Sequence, residues 1–272
     1  MNRVAKAEGS MDESRVDGYL ARIGVARPDV PDAEALRAIQ YAHLLTVPFE
    51  NLSIHLGQPV VLDEELLVAK IVDQRRGGFC YELNGALGAL LTALGYRVTL
   101  LAAQVFGGGE PGLPFDHMVL RVDLDEPWLV DVGYGSFTHY PLRLVTDVDQ
   151  HDPGGVFRIV RPGEQGYLDV YQDGNPEYRV DVRPYRLKDY LPTCWWHQTS
   201  PESHFTRSLT CSRLTETGRI TLSGAKLITT VGGRRDEVVL DDDAEILDAY
   251  RTHFGITLDR VPTVAAPPVA AV

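Results

Sequence analysis

Three side chains in this sequence have the types and the setting for nucleophilic thiol chemistry: Cys80, His117 and Asp131. Cys80 stands in Arg75-Arg76-Gly77-Gly78-Phe79-Cys80-Tyr81-Glu82-Leu83-Asn84, where two glycines lead into the first turn of an amphipathic helix. Unpaired N–H groups and the macrodipole at a helix start favour an anion. The thiol is therefore expected to ionise below its usual pKa of roughly 8.5. Glycines also let backbone approach a ligand closely, a freedom that a cysteine serving only as a small apolar residue does not need.

A thiol nucleophile requires a base, and the base requires a group that orients it. His117 and Asp131 lie on consecutive predicted strands, seven residues either side of Leu124 in the turn Asp123-Leu124-Asp125. A symmetric turn makes them directly opposed neighbours on one face, with Cβ atoms about 4.5–5.5 Å apart. A slip of one residue, or a bulge, sends them to opposite faces. Asp131 is a carboxylate inside Trp128-Leu129-Val130-Asp131-Val132-Gly133, and such a charge is costly to bury without a partner. The other seven histidines show no metal-ligand spacing, and no two cysteines are two or four residues apart, so no metal is expected.

Three stretches of different periodicity position these residues. Residues 1–95 read as a helical bundle. Its first helix buries Val16, Tyr19, Leu20 and Ile23 behind a capping box at Ser14 and Asp17, and Gly24 closes it. A second follows Asp32 with Leu36, Ile39 and His43 on one side and ends at Val47-Pro48. A third follows Asp63 with Leu66, Leu67 and Ile71. The last carries Cys80, then Leu83, Leu87, Leu90, Leu91 and Leu94, with Gly95 as its stop. Residues 96–206 change to period two, with strands expected over 96–106, 117–123, 128–132, 156–160, 167–171 and 177–182 in a sheet or barrel. Trp195 and Trp196 are placed on a short helix. Residues 207–261 hold strands over 208–214, 219–222 and 226–231 and a helix over 243–254, whose face is Ile246, Ala249, Tyr250 and His253. The tail 262–272 is Ala/Pro/Val without periodicity and reads as disordered. The class is α+β.

With 272 residues the chain makes one large domain or two to three small ones, enough for a real core. A composition of 44% hydrophobic and 24% charged residues is that of an ordinary soluble protein, and no apolar run approaches the roughly 18 residues of a membrane span. The start is polar and expected to be mobile. It lacks the apolar core of a secretory signal, and three cysteines (Cys80, Cys194, Cys211) make no paired framework, so a reducing, cytoplasmic setting is expected. A net charge of −12 argues against nucleic acid and anionic membrane as partners. A homo-oligomer is compatible with the sequence, which leaves the oligomeric state open.

The chemistry-bearing residues also resemble a known family. Arg76-Gly77-Gly78-Phe79-Cys80-Tyr81-Glu82, Asp116-His117-Met118-Val119-Leu120 and Trp128-Leu129-Val130-Asp131-Val132-Gly133 are similar to the three motifs of the arylamine N-acetyltransferases. The resemblance extends to Tyr19, Arg22-Ile23-Gly24, Val47-Pro48-Phe49-Glu50-Asn51-Leu52 and Ser200-Pro201-Glu202-Ser203-His204-Phe205. It implies a helical bundle, a central β-barrel and a C-terminal α/β lid around a core like that of cysteine proteases. It makes Cys80 the acetylated nucleophile, His117 its base and Asp131 the orienting acid. It further implies ping-pong transfer from acetyl-CoA, with no metal, to a small aromatic amine or hydrazine, as in xenobiotic metabolism. Phe49, Tyr81, Tyr134 and Phe205 become aromatic walls of the acceptor pocket, although each also reads as ordinary core packing. Arg22 and Glu50 become a structural ion pair. Tyr134 stands where the family often has Phe, and Asp116 where it commonly has a small polar residue; both departures bear on the acceptor pocket.

Two other motifs are set aside. Gly107-Gly108-Gly109-Glu110-Pro111-Gly112 satisfies G-x-G-x-x-G, but Pro111 and Pro114 oppose a following helix. Gly107 and Gly108 are carried only as candidates to offer backbone N–H groups to coenzyme A, the other reading being a flexible turn. Asn51-Leu52-Ser53 matches a glycosylation sequon that a cytoplasmic protein would not use. Gly232-Gly233-Arg234-Arg235 is left unassigned. The same three site residues would also suit an amide synthase or thiol hydrolase, which differ in acyl donor, or a binding protein with a degenerate site, whose cysteine would be unreactive.

Overall fold

The computed structural model describes residues 11–163 and 165–264; the expected mobile start up to residue 10 and the tail from residue 265 on lie outside the described residues. Helix α1 (Glu13–Ile23) is capped by Asp12, whose carboxylate accepts the Arg15 N–H at 2.8 Å, so the cap lies two residues before the expected Ser14. Helix α2 (Ala33–Thr46) starts at Asp32 and stops at Val47, where the coming proline disfavours helix. A two-residue strand β1 (Phe49–Glu50) and helix α3 (Leu52–Leu56) follow, too short to show a period. Helix α4 (Glu64–Val72) buries Leu67, Val68 and Ile71, while Leu66 is 54% exposed; the apolar face is rotated one residue from the expected one.

Helix α5 (Cys80–Ala93) is the centre of this half of the molecule. Eleven of its residues are buried, because α4 covers one side and the sheet the other. Leu83, Leu87, Leu90 and Leu91 pack with Tyr19, Leu20, Ile39 and Ile71 on one side and with Leu120 and Val130 of the sheet. At about 1.5–3 kcal/mol for each fully buried leucine, this face alone outweighs any helix propensity lost at Gly85 and Gly88.

Strands β2 (Arg97–Gly107), β3 (Glu110–Pro111), β4 (His117–Asp123), β5 (Pro127–Val130), β6 (Leu142–Arg143), β7 (Asp149–Asp152), β8 (Gly155–Val160), β9 (Tyr167–Gln172) and β10 (Asn175–Tyr185) form one antiparallel sheet. Its order is β6-β5-β4-β2-β10-β9-β8-β7, with β3 paired only to β2. The outermost strands approach each other. The Arg143 N–H donates to Gln150 Oε1 at 2.8 Å and Gln150 Nε2 donates to the Arg143 carbonyl at 3.0 Å, so one amide side chain nearly closes the barrel. Leu101, Ala103, Val119, Leu129, Phe157 and Val170 point inward at period two. Leu120 and Val122 face outward onto α5, so β4 is covered on both sides.

A 3₁₀ turn (Leu187–Tyr190), helix α6 (Leu191–Thr199) and helix α7 (His204–Arg207) lead from the barrel to a second sheet. Strands β11 (Thr210–Thr215), β12 (Gly218–Ser223), β13 (Lys226–Val231) and β14 (Arg234–Val239) form it in sequence order, and β1 joins beside β11. Helix α8 (Asp243–Phe254) closes it with Ile246, Ala249, Tyr250 and Phe254; Phe254 takes the buried place expected of its neighbour His253. The fold is α+β, with helical bundle, barrel and α/β lid in that order. Among the described residues no helix is long and apolar enough to cross a membrane.

One core residue has a measurable consequence. His43 is fully buried in α2 with Nε2 3.0 Å from the Tyr19 hydroxyl. Burial, and then the nearby Arg22 cation, push its pKa down to about 3. The folded chain keeps this ring neutral while the unfolded chain protonates near pH 6.5, so the unfolded state binds more protons and stability falls with falling pH. We expect His43 to add a slope of about 1.4 kcal/mol per pH unit between pH 6.5 and about 3. Urea unfolding at pH 6, 5 and 4 should show a wild-type slope steeper than that of His43→Gln, the difference approaching one proton at the lower two values.

Candidate active site

The turn into α5 is held by buried charge. Arg75 takes a left-handed φ of 52°. A Cβ on Gly77 would lie 1.8 Å from the Pro48 carbonyl oxygen, and one on Gly78 would lie 2.5 Å from Glu82 Oε2. The two glycines thus admit protein groups, not the ligand expected from the sequence. Glu82, in the first turn of α5, accepts the Phe79 N–H at 3.2 Å and pairs with Lys70 at 2.5 Å. Beside it Arg76 holds Glu50 through Nε at 2.9 Å and Nη2 at 3.1 Å, and Leu52 N–H adds a third donor at 2.7 Å. Burial alone would raise the Glu50 carboxyl, but Lys70, Arg76 and the Leu52 amide hold it below its ordinary value. Glu50 therefore pairs with Arg76 and not with Arg22, as the resemblance had suggested. Arg22 Nε is buried without a partner among the described residues, and burial, then Arg75, push its pKa down to about 10.

Cys80 is the first residue of α5, and one helical turn on, Asn84 faces the same strands. Asn84 Nδ2 donates to the Met118 carbonyl at 2.6 Å and to Asp131 Oδ1 at 2.9 Å, while its Oδ1 accepts the Val132 N–H at 3.0 Å. Asp131 Oδ2 lies 2.7 Å from His117 Nε2, and Asp131 Oδ1 also accepts the Gly133 N–H at 2.8 Å. A Cβ on Gly133 would sit 2.6 Å from Cys80 Cα, so only glycine lets this loop lie against the helix start. With Asp131 on Nε2, His117 Nδ1 is the ring nitrogen that Asp131 does not engage.

The register differs from the symmetric turn at Leu124. Leu120 pairs with Val130 and Asp123 with Pro127, which centres the hairpin on Asp125. Directly opposed pairing of His117 and Asp131 is thereby overturned. The shift preserves parity, however, so both stay on one face and meet diagonally, Asp131 lying just beyond the end of β5.

The sulfur of Cys80 is enclosed. It lies 4.0 Å from the Asp116 carbonyl, and the Met118 amide also faces it, so the backbone on either side of His117 addresses the thiol. Cys80 is 2% exposed, and burial pushes its pKa well up, with the carboxylates of Asp116 and Asp131 adding to the effect. The expectation of a thiol acidified by its helix start is thus reversed for the unpaired group. The Tyr81 hydroxyl donates to the Phe115 carbonyl at 2.6 Å, and Tyr81 has no exposed surface, so it clamps the loop before β4 rather than walling an open space. Phe115 in that loop has a φ of 62°. Tyr134 lies edge-on to His117 at 5.4 Å between ring centroids, with its hydroxyl donating to Glu177 at 2.8 Å. Phe205 stacks near Phe49 and Phe79. Both Phe49 and Phe205 are half-buried, as is Tyr134. Gly107 and Gly108 form the tip of the β2–β3 hairpin, with open space around them.

Asn84, Lys70, Arg76, Gly133 and His197 support the site without any role assigned to them from the sequence. A usable signal existed for Asn84, a polar residue one helical turn after Cys80 on the face that otherwise carries Leu83, Leu87, Leu90 and Leu91. For Lys70, Arg76 and His197 no local pattern marks the partner, since each contact joins distant segments.

Comparison with known proteins agrees with this arrangement of elements. The family model described as N-acetyltransferase matches residues 32–263. The arylamine N-acetyltransferase of Mycolicibacterium smegmatis is 38% identical over 251 residues, which span 89% of this chain and 91% of that protein. The solved structure of the arylamine N-acetyltransferase from Salmonella typhimurium is 30% identical with a TM-score of 0.85, over 94% of this chain and 96% of that one. That of Mycobacterium marinum in complex with CoA is 33% identical with a TM-score of 0.81, over 89% and 92% of the two chains.

Two substitutions test the supports of the site. Asn84→Ala leaves the Met118 carbonyl, the Val132 amide and one Asp131 oxygen short of a buried partner, and should cost about 2–4 kcal/mol in urea unfolding. Glu50→Gln leaves the Arg76 charge buried without compensation, and should cost about 3–5 kcal/mol by the same measurement.

Proposed function

The chain belongs to the arylamine N-acetyltransferase family, a family of acyltransferases, and from that premise we propose that it acetylates arylamines, arylhydrazines or hydrazides from acetyl-coenzyme A through an acetyl-Cys80 intermediate. The observation that carries the reading is the buried His117–Asp131 pair at 2.7 Å, tied through Asn84 to the helix that begins at Cys80. In this reading His117 accepts the Cys80 proton and the sulfur attacks the thioester carbonyl. The new carbon–sulfur bond replaces the one to coenzyme A, which leaves with that proton. Exchanging one thioester for another is nearly neutral in energy, and the acyl-cysteine stays reactive toward a weak amine. The acceptor nitrogen then attacks the acetyl carbon, His117 takes its proton, and the proton returns to sulfur as the amide departs.

Each support has a defined part. Asp131 keeps the imidazole oriented and stabilises its cation. The first amides of α5 are the donors available to the developing oxyanion. Phe49, Tyr134 and Phe205 are the half-buried aromatics that would flank the acceptor ring, and Gly107 and Gly108 remain candidates for main-chain contact with coenzyme A. The nucleophile falls in residues 1–95 and its partners in 96–206, so we place the site at the seam of those two units, with 207–261 as the lid.

Protein mixed with acetyl-coenzyme A and no amine should gain the mass of one acetyl group on Cys80 and release one coenzyme A; absence of that mass overturns the reading. Asp131→Asn should lower kcat by about 10²–10⁴ with the mass of the intermediate unchanged in position. Iodoacetamide alkylation separates the activation of the thiol from its burial. In the wild type Cys80 should react at pH 6 faster than free cysteine. In His117→Gln the thiol loses its proton acceptor, and half-maximal rate should move to higher pH than that of free cysteine, the direction set by burial.

A further inference from the structure

A second histidine–aspartate pair stands at the same sulfur, and the reaction just described does not use it. Asp116 precedes His117, its carbonyl faces Cys80 Sγ at 4.0 Å, and its side chain is 18% exposed. Asp116 Oδ1 lies 3.1 Å from His197 Nε2, off line for a linear hydrogen bond, so the contact is chiefly electrostatic. His197 is buried among Phe79, Tyr81 and Phe205. Its Nδ1 is 3.3 Å from Ser203 Oγ, and that oxygen accepts the Phe205 N–H at 3.2 Å. The Ser203 hydroxyl and the Asp116 carboxylate thus face the two ring nitrogens of His197. The carboxylate thus faces the helix that leads into the segment carrying Phe205.

We propose that Asp116 sets the charge preference of the acceptor site: its fixed carboxylate beside Cys80 favours acceptors with a cationic or hydrogen-bond-donating group and disfavours those that carry a carboxylate. The inference rests on the reading of Cys80 as the acyl-carrying nucleophile. Three observations support it. The charge of Asp116 reaches the thiol and the Tyr134 hydroxyl, the two groups that flank His117, and after burial it adds to what keeps both protonated. The side chain keeps exposed surface beside the buried Cys80, His117 and Asp131, so an incoming molecule can meet it. The acceptor nitrogen gains positive charge as it attacks the acetyl carbon, and an anion whose field reaches the Cys80 sulfur favours that change. A like charge brought to the same place should be disfavoured on the order of tenfold.

The test reads charge at the thiol with and without turnover. Cys80 is alkylated with iodoacetate, iodoacetamide and (2-bromoethyl)trimethylammonium, and the rates are followed by mass spectrometry in the wild type, Asp116→Asn and Asp116→Glu. In Asp116→Asn we expect the anionic reagent to gain and the cationic one to lose, so that their rate ratio moves by about tenfold. Asp116→Glu should keep the wild-type order. Three anilines bearing a neutral, a carboxylate or a trimethylammonium group at the far end of the ring are then compared by kcat/KM, with the same opposite-signed changes expected. Rates that all move in one direction in Asp116→Asn, or a ratio unchanged within about twofold, overturn the proposal, because loss of structure moves every reagent alike. If no aniline releases coenzyme A, the acetyl-transfer reading falls, while the alkylation ratio still decides the role of Asp116.

Discussion

The carboxylate of Asp131 is the constraint around which this molecule is built. An ion of that size taken from water costs several kcal/mol, and it is kept only where donors replace its hydration. Here they come from three places: the ring of His117 on β4, the amide side chain of Asn84 on α5, and the Gly133 N–H just past β5. Hydrogen bonds to a charged group contribute about 1.5–3 kcal/mol each, so three of them offset the desolvation only if all are made together. The helix, the strand and the loop must therefore arrive in one relative position. This couples folding of the bundle to closure of the hairpin, and it places the start of α5 without any contact to a substrate. Gly133 is part of the same constraint, since any side chain there would push the loop from Cys80 and break the third bond.

Behind the helix start a second set of charges serves a different purpose. Lys70–Glu82 and Arg76–Glu50 are both largely buried, and Ser53 Oγ accepts from Lys70 at 2.9 Å and from Arg76 at 3.4 Å. They tie α4, the glycine turn, β1 and α3 to the first turn of α5. A hydrophobic cluster of the same volume would be as stable or more so, but it would fix the direction of the turn less sharply, because apolar contacts lack the angular dependence of a bidentate guanidinium. The lid is registered through the same point: Glu50 pairs with Cys211 in the β1–β11 ladder, so the edge strand of the lid sheet carries the partner of Arg76.

What the sequence disclosed, and what it withheld, follows from the range of the interactions involved. Residue types alone singled out Cys80, His117 and Asp131, because a cysteine at a helix start and a carboxylate in an apolar strand are both locally anomalous. Parity along the hairpin survived an error in its centre, since moving the turn by one residue shifts pairing by two and leaves every side chain on its face. Leu66 was misjudged because in Leu66-Leu67-Val68 any two neighbours satisfy a helical face, and only packing against α5 selects Leu67 and Val68. Strand β14 was missed because Arg234–Val239 is exposed throughout and has no alternation; its ladder to β13 makes it a strand. Resemblance misled at Glu50, where the bidentate guanidinium of Arg76, and not Arg22, holds the carboxylate.

The thiol itself shows two opposing effects of known size. A helix start is worth about 0.3–1 kcal/mol to an anion, up to about 2 in a partly buried geometry, which is a lowering of about one pKa unit. Complete burial raises the pKa of an acid by as much as 3–5 units. At 2% exposure, with two carboxylates nearby, burial wins, and a lone thiolate at Cys80 is disfavoured. The sulfur can therefore carry negative charge only as half of an ion pair, with the proton on the imidazole that Asp131 orients. On the proposed mechanism the cysteine is then inert wherever His117 is not aligned and reactive where it is. If Cys80 is the nucleophile we propose, it depends on its base not for a modest gain in rate but for the existence of its reactive form, and the ties through Asn84 and Gly133 then belong to the chemistry as much as to the fold.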